Sequence, residues 1–315
     1  MSAPEKQKKP LRIGITGVSG FIGRAIVEIA NDAGHQVIGF SRSPERPVPG
    51  TVEMREFSRP DHAGYGNLDA VIHLAGEPLV GLWTQEKKRL IYQTRVDGTR
   101  ALVRGMEKMR SAERPKTFVC ASAVGFYGDT GDDLVDEDSD SGFGFLAEVV
   151  RDWEAAAREA HDIGLRSTSV RIGFVLGETG GALPLLRKVF RAYLGGRLGS
   201  GDQWMPWVHV RDVARMFLDA VEKDAFSGPV NAVAPHPVTN REFTATLARL
   251  LDRPAFLPAP AFALKLAPGG MHEMFLNSLR IDPAVLRLRT FSWEFSELEP
   301  ALRDALRLSE SRAGE

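Results

Sequence analysis

The stretch LRIGITGVSGFIGRAIVEIANDAG, residues 11–34, constrains the fold of this chain more than any other. Leu11 to Thr16 reads as a short apolar strand, and Gly17, Gly20 and Gly23 follow at three-residue spacing. The segment after them carries apolar residues at helical period. Glycine here lets the backbone turn sharply out of a strand and directly into a helix. Gly34 suits the left-handed residue that closes such a helix. A strand, a tight turn and an amphipathic helix together start a pattern of alternating strands and helices.

The alternation continues. HQVIGFS, VEMREF, LDAVIHLAG, KTFVCASA and RSTSVRIGFVLG read as strands, and TQEKKRLIYQTRVDGTRALVRGMEKMR as one long helical stretch. FLAEVVRDWEAAAREA, residues 145–160, reads as a helix burying Phe145, Leu146, Val149, Val150, Trp153 and Ala157. Several strands are apolar on both faces, as in a parallel sheet covered on both sides. The class is α/β, a doubly wound parallel sheet of the Rossmann kind with a smaller C-terminal substrate lobe. We expect a disordered polar tail over 1–10 and a nucleotide-binding domain over 11–180, its sheet completed by later segments. A mixed lobe over 181–315 follows, where Thr239 and Glu242 form a capping box at a helix start.

Composition removes several function classes. A net charge of −1 over 315 residues gives no reason to expect nucleic acid as a partner. The most apolar run, PAFLPAPAFALKLAPGG, is short and broken by prolines, so no membrane span is expected. The single cysteine, Cys120, excludes an intramolecular disulfide and fits a reducing, cytoplasmic setting. The histidines are scattered, and the acidic stretch DTGDDLVDEDSD lacks the full calcium-loop pattern, so it reads as a solvated loop and no metal is expected. Nothing in the sequence specifies the oligomeric state.

The glycine turn is where a pyrophosphate would sit, its charge on the amides that open the helix. Gly17, Gly20, Phe21, Ile22 and Gly23 are therefore candidate dinucleotide contacts. The second strand ends in Ser41 and Arg42, where an NAD site would offer a carboxylate to the ribose. A hydroxyl and a fixed cation suit a 2′-phosphate instead, which makes NADP(H) the expected cofactor. Leu74, Ala75 and Gly76 form the turn after the fourth strand and would pass the cofactor closely. Glu77, next to them at the cleft mouth, reads equally as a contact to cofactor or substrate and as a residue that touches neither. His73 lies inside an apolar strand and reads as a core histidine.

With these segments in view, the chain resembles the atypical epimerase family of the extended short-chain dehydrogenase/reductases, those with a C-terminal domain of unknown function. The resemblance spans nearly the whole sequence through TGVSGFIG, HLAGEPL, ASAVGFYG, FLAEVVRDWEAAA, RIGFVLG, WVHVRDVA and GPVNAVAPHPVTNREF. It implies an NAD(P)-binding domain and an epimerase or dehydratase label, and no particular substrate. Active relatives carry a Tyr-x-x-x-Lys pair on the helix that begins at Phe145, the tyrosine as general acid/base and the lysine on the nicotinamide ribose. Glu154 as a register mark places Leu146 and Val150 at those two positions; shifting by one gives Phe145 and Val149. Neither register supplies a titratable group.

The remaining polar candidates are Ser122, at or beside the family's strand-end serine with Ala123 as the alternative, and Tyr127, which could present a hydroxyl although a tyrosine here more often packs along the loop. Arg95 stands where the family pattern has asparagine, and reads either as solvated or as a phosphate or carboxylate contact. His209 reads as a residue that packs the substrate lobe. Two functions fit: an NADP(H)-dependent epimerase or oxidoreductase with non-standard catalytic groups, or a non-catalytic NADP(H)-binding sensor or structural protein.

Overall fold

The computed structural model describes residues 9–262, 270 and 272–308. Residues 1–8 of the expected tail, and residues 263–269 of the proline-interrupted apolar run, lie outside the described residues. The strands are β1 (Arg12–Thr16), β2 (Gln36–Ser41), β3 (Thr51–Glu56), β4 (Ala70–His73), β5 (Thr117–Ala123), β6 (Leu134–Val135), β7 (Arg166–Ile172), β8 (Phe174–Leu176), β9 (Trp204–Met205), β10 (Trp207–His209), β11 (Gly228–Ala232), β12 (Val238–Thr239) and β13 (Arg280–Ile281). The helices are α1 (Phe21–Asp32), α2 (Gln85–Tyr92), α3 (Gly98–Glu107), α4 (Phe145–Arg158), α5 (Leu183–Arg191), α6 (Val210–Glu222), α7 (Asn240–Leu251), α8 (Glu273–Leu276), α9 (Ala284–Leu288) and α10 (Leu298–Ala305).

Seven strands form one sheet in the order β11-β7-β5-β4-β1-β2-β3, and every neighbouring pair is parallel. The order reverses between β1 and β4, which opens a crevice at the carboxyl ends of those two strands. Ile13, Ile15, Val71, Ile72, Phe118 and Val119 are fully buried because helices cover both faces. α1 packs beside α6 on one side, and α3 beside α4 on the other. The edge strand β11 and the covering helix α6 come from beyond residue 180. A second core of Leu176, Leu183, Phe190, Trp207, Phe243, Leu247, Leu298 and Leu302 holds the smaller lobe. Thr239 and Glu242 do form the capping box at the start of α7. Gly34, at φ +81°, follows α1 and returns its N–H to Asn31. Among the described residues no helix is long and apolar enough to cross a membrane.

Three segments differ from the sequence reading. RSTSVRIGFVLG is two strands, because Gly173 meets the Pro206 carbonyl so closely that no side chain fits there. β8 then leaves the main sheet and pairs with β10. The long helical stretch is broken by a π-helical turn, Gln93–Asp97, between α2 and α3. The acidic loop is not wholly solvated: Glu137 is buried and accepts from the Asn231 and Val285 amides, at sequence separations of 94 and 148 respectively. That burial pushes its carboxyl up from the usual carboxylate value.

Candidate active site

The glycine turn builds one wall of the crevice. Gly17 has φ +67°, and a Cβ on it would lie 3.0 Å from both the Leu74 carbonyl carbon and the Ala75 nitrogen. β1 and the turn after β4 can approach this closely only with glycine at 17. Gly20 donates to the Gly17 carbonyl at 2.9 Å and caps α1 with no side-chain acceptor. The amides of Phe21, Ile22 and Gly23 therefore open the helix without partners among the described residues, an arrangement that favours an anion. A Cβ on Gly23 would collide with the Gly17 and Val18 carbonyls. The Phe21 ring turns away and packs under Gly177 and Gly180, leaving its amide as what it can offer a ligand. The Ile22 side chain packs on the main core.

Ser41 closes β2, and its Oγ accepts from the Ser43 amide at 3.1 Å. Arg42 is exposed and makes no hydrogen bond or ion pair among the described residues. On the other side of β1, Thr16 Oγ1 accepts from the Leu74 and Ala75 amides at 3.1 and 3.2 Å and lies 2.7 Å from His73 Nδ1. Two N–H groups fill the hydroxyl's two lone pairs, so its own proton goes to Nδ1. The remaining His73 proton is then on Nε2, a buried atom without a hydrogen-bond partner among the described residues. Burial, with Arg95 nearby, brings the His73 pKa down to about 4 and keeps the ring neutral. The expectation of a core histidine is met.

Beyond Gly76, Glu77 is tied down from the π-helical turn. Its amide donates to Thr94 Oγ1 at 2.9 Å, its carbonyl accepts from Arg95 Nη1 at 2.9 Å, and its carboxylate meets Lys87 Nζ at 2.6 Å. Arg95 lies over the Trp153 ring, Cζ 5.3 Å from the centroid.

Across the carboxyl ends of β5, β7 and β11 runs a buried polar chain. Ser122 Oγ donates to Glu154 Oε1 at 2.5 Å, and Arg171 meets both oxygens of Glu154 at 2.8 and 2.9 Å. Arg171 Nη1 donates to the Tyr127 hydroxyl, which donates to Asn231 Oδ1, both at 2.8 Å. Arg171 also lies 3.6 Å above the centre of the Phe126 ring. Burial opposes the Arg171 charge, but Glu154 more than restores it and its pKa stays above the ordinary arginine value. Burial pushes Tyr127 up to about 12. Both hydroxyls singled out in the sequence are thus consumed inside the protein.

The NAD-dependent epimerase/dehydratase family model matches residues 13–233. The chain belongs to that family. A second family model, a domain of unknown function (DUF1731), matches residues 259–305. Similar curated relatives include the epimerase family protein YfhF of Bacillus subtilis, 35% identical over 297 residues, covering 93% of this chain and 97% of that one. The human epimerase family protein SDR39U1 is 34% identical over 299 residues, covering 93% and 99%. The crystal structure of human SDR39U1 isoform 2 with NADPH superposes with a TM-score of 0.86 at 32% identity, covering 95% of this chain and all of that one. A nucleoside-diphosphate sugar epimerase from Corynebacterium glutamicum gives 0.77 at 34% identity, covering 95% of this chain and 58% of that one.

Within this epimerase fold, α4 carries hydrocarbon at the positions marked in the sequence. Leu146 is half-buried, its Cβ 3.4 Å from where a Cβ on Gly125 would stand. Val150 is buried, and Val149 packs with Trp83 and Ile91. The Glu154–Arg171–Asn231 chain escaped the sequence reading, which used Glu154 only as a register mark. A signal was present: Arg171 and Asn231 stand between apolar neighbours, in VRI and VNA, at the ends of β7 and β11, and a polar group buried there must find a partner. His209 caps α6 by accepting from the Arg211 amide and packs 4.0 Å from the Phe295 ring centre, as a packing residue should.

Proposed function

We propose that this epimerase-family chain binds NADP(H) in the crevice between β1 and β4, and runs hydride chemistry on a small substrate without a Tyr-x-x-x-Lys pair. The observation that carries the reading is the cradle at the head of α1: three free amides above a glycine turn in which side chains at 17 and 23 would clash. Gly17, Gly20, Phe21, Ile22 and Gly23 would hold the pyrophosphate; Leu74, Ala75 and Gly76 would line its path; Ser41 and Arg42 would take the 2′-phosphate. The likeness to a human relative crystallised with NADPH supports this choice of cofactor. NADP(H), when bound, supplies or accepts a hydride; the protein orients it and excludes water. The substrate would lie over the carboxyl edge of the sheet, beneath the smaller lobe.

Leu146 and Val150 can neither give nor take a proton, and Ser122 and Tyr127 are committed to Glu154, Arg171 and Asn231. These same observations favour a second reading, a non-catalytic NADP(H) sensor or structural protein. The buried Cys120 thiol, pushed up by burial, suits a reducing compartment, and a cytoplasmic location belongs to the same proposal.

The test is titration of NADPH and NADH into the protein and its Arg42→Ala variant. NADPH should bind more tightly, and the variant should lose about 1.5–3 kcal/mol of that preference, the worth of hydrogen bonds to a charged group. Equal affinities in the unmutated protein would refute the NADP(H) assignment. Consumption of nicotinamide absorbance against a panel of ketones, aldehydes and nucleotide sugars separates an enzyme from a sensor.

A further inference from the structure

The crevice contains a cation that the surrounding protein leaves largely unmatched. Arg95 is part-buried, so it reaches the cleft surface while packed neighbours strip much of its water. Of its five N–H donors, one hydrogen bond is formed among the described residues, from Nη1 to the Glu77 carbonyl. The nearby carboxylate of Glu77 is turned to Lys87 instead. Other part-buried or buried arginines are better served. Arg166 donates to three carbonyls and Thr117, Arg114 to three carbonyls, and Arg171 holds Glu154 with two nitrogens. Burial lowers the Arg95 pKa to about 10, the response of a cation short of negative charge.

Its position says which charge is missing. A Cβ on Gly17 would stand 3.0 Å from the Leu74–Ala75 peptide, and a Cβ on the next residue, Gly76, would stand 3.5 Å from Arg95 Cζ. The helix-opening amides of α1 and the Arg95 guanidinium thus lie on one continuous rim. Arg42 is at the end of β2, two strands from the β4 edge that Arg95 flanks, a separation of about 10 Å at ordinary strand spacing. On the far side, Arg95 leans on Trp153, one turn beyond the buried Val150 of α4. α4 brings no cation of its own to this part of the cleft; the π-helical turn does.

We propose that Arg95 binds the nicotinamide-side phosphate of the dinucleotide, an affinity-determining contact that supplies from the π-helical turn a positive charge that α4 does not bring to this part of the cleft. The proposal rests on the NADP(H) reading above. Arg42 and Arg95 then grip the two ends of the cofactor's charge from opposite sides of β1. The guanidinium lies along the Gly76 backbone, where a Cβ would be in ordinary van der Waals contact with it.

The experiment compares NADPH with adenosine 2′,5′-bisphosphate, which keeps the adenosine end and lacks the nicotinamide-side phosphate. Arg95→Met should weaken NADPH binding about tenfold or more, as loss of a charge-assisted hydrogen bond does, and leave the bisphosphate unchanged. Arg95→Lys should recover part of the loss, and Arg42→Ala should weaken both ligands. Unchanged NADPH affinity in folded Arg95→Met, or equal weakening of both ligands, overturns the proposal. Failure of the unmutated protein to bind either ligand defeats the NADP(H) reading instead. Because Arg95→Met has to fold to be informative, a second measurement uses the unmutated protein. NADPH should protect Arg95 from phenylglyoxal, read by mass spectrometry, and the bisphosphate should not; indifference to NADPH would also overturn it.

Discussion

Replacing His73 with asparagine should flatten the acid side of the stability profile. The ring is buried, neutral and fixed by Thr16, and its pKa falls from 6.5 to about 4 through burial first and Arg95 second. As pH drops through 6.5 the unfolded chain takes up this proton while the folded chain refuses it. Stability from the neutral ring is therefore complete above about pH 6.5 and is lost as pH falls through about 4. A difference of that size corresponds to about 3 kcal/mol across the window. Asparagine keeps an acceptor for the Thr16 hydroxyl and cannot titrate. Urea unfolding at several pH values between about 4 and 7.5 should show the unmutated protein losing about 3 kcal/mol more than the variant. Parallel profiles would mean that His73 does not carry the acid sensitivity and that its ring is not held neutral by burial.

Two further outcomes follow from packing. Glu154→Ala leaves the buried Arg171 charge uncompensated and should cost about 3–5 kcal/mol in chemical unfolding; adding Arg171→Met should return much of it. A double-variant cycle without coupling would show the pair to be independent. Val150→Ala should cost about 1.5–3 kcal/mol and the half-exposed Leu146→Ala less than about 2 kcal/mol, both without changing NADPH affinity once the folded fraction is accounted for. Loss of cofactor binding at full stability would show that α4 contributes more than packing.

Much of the fold was legible because parallel strands covered on both faces have to be apolar runs, and β1, β4 and β5 are. The glycine turn was legible for a different reason: with φ +67° and a Cβ that would stand 3.0 Å from the Leu74–Ala75 peptide, Gly17 leaves little choice of residue. What resisted reading was non-local. Gly173 looks like a tolerable residue within a strand until Pro206 is brought against it. Glu137 looks like one more charge in an acidic loop until β11 offers it the Asn231 amide. Ser122 and Tyr127 are chemically suited to catalysis, and only the folded chain reveals that Glu154, Arg171 and Asn231 already hold them. The π-helical turn leaves only a one-residue slip in the apolar period between two helices, which is easily missed when each side is periodic by itself.

The borrowed edge strand has a practical consequence for anyone dissecting this molecule. A fragment stopping near residue 180 would contain the whole glycine turn and six of the seven sheet strands, yet it would lack β11 and α6. The unpaired backbone of β7 would become an open template for other chains, and the apolar side of α1 that α6 covers would face water. Such a fragment is a recipe for aggregates. A useful dissection has to remove the intervening 181–209 and carry 210–232 along, joined by a linker, as an insertion inside one folding unit.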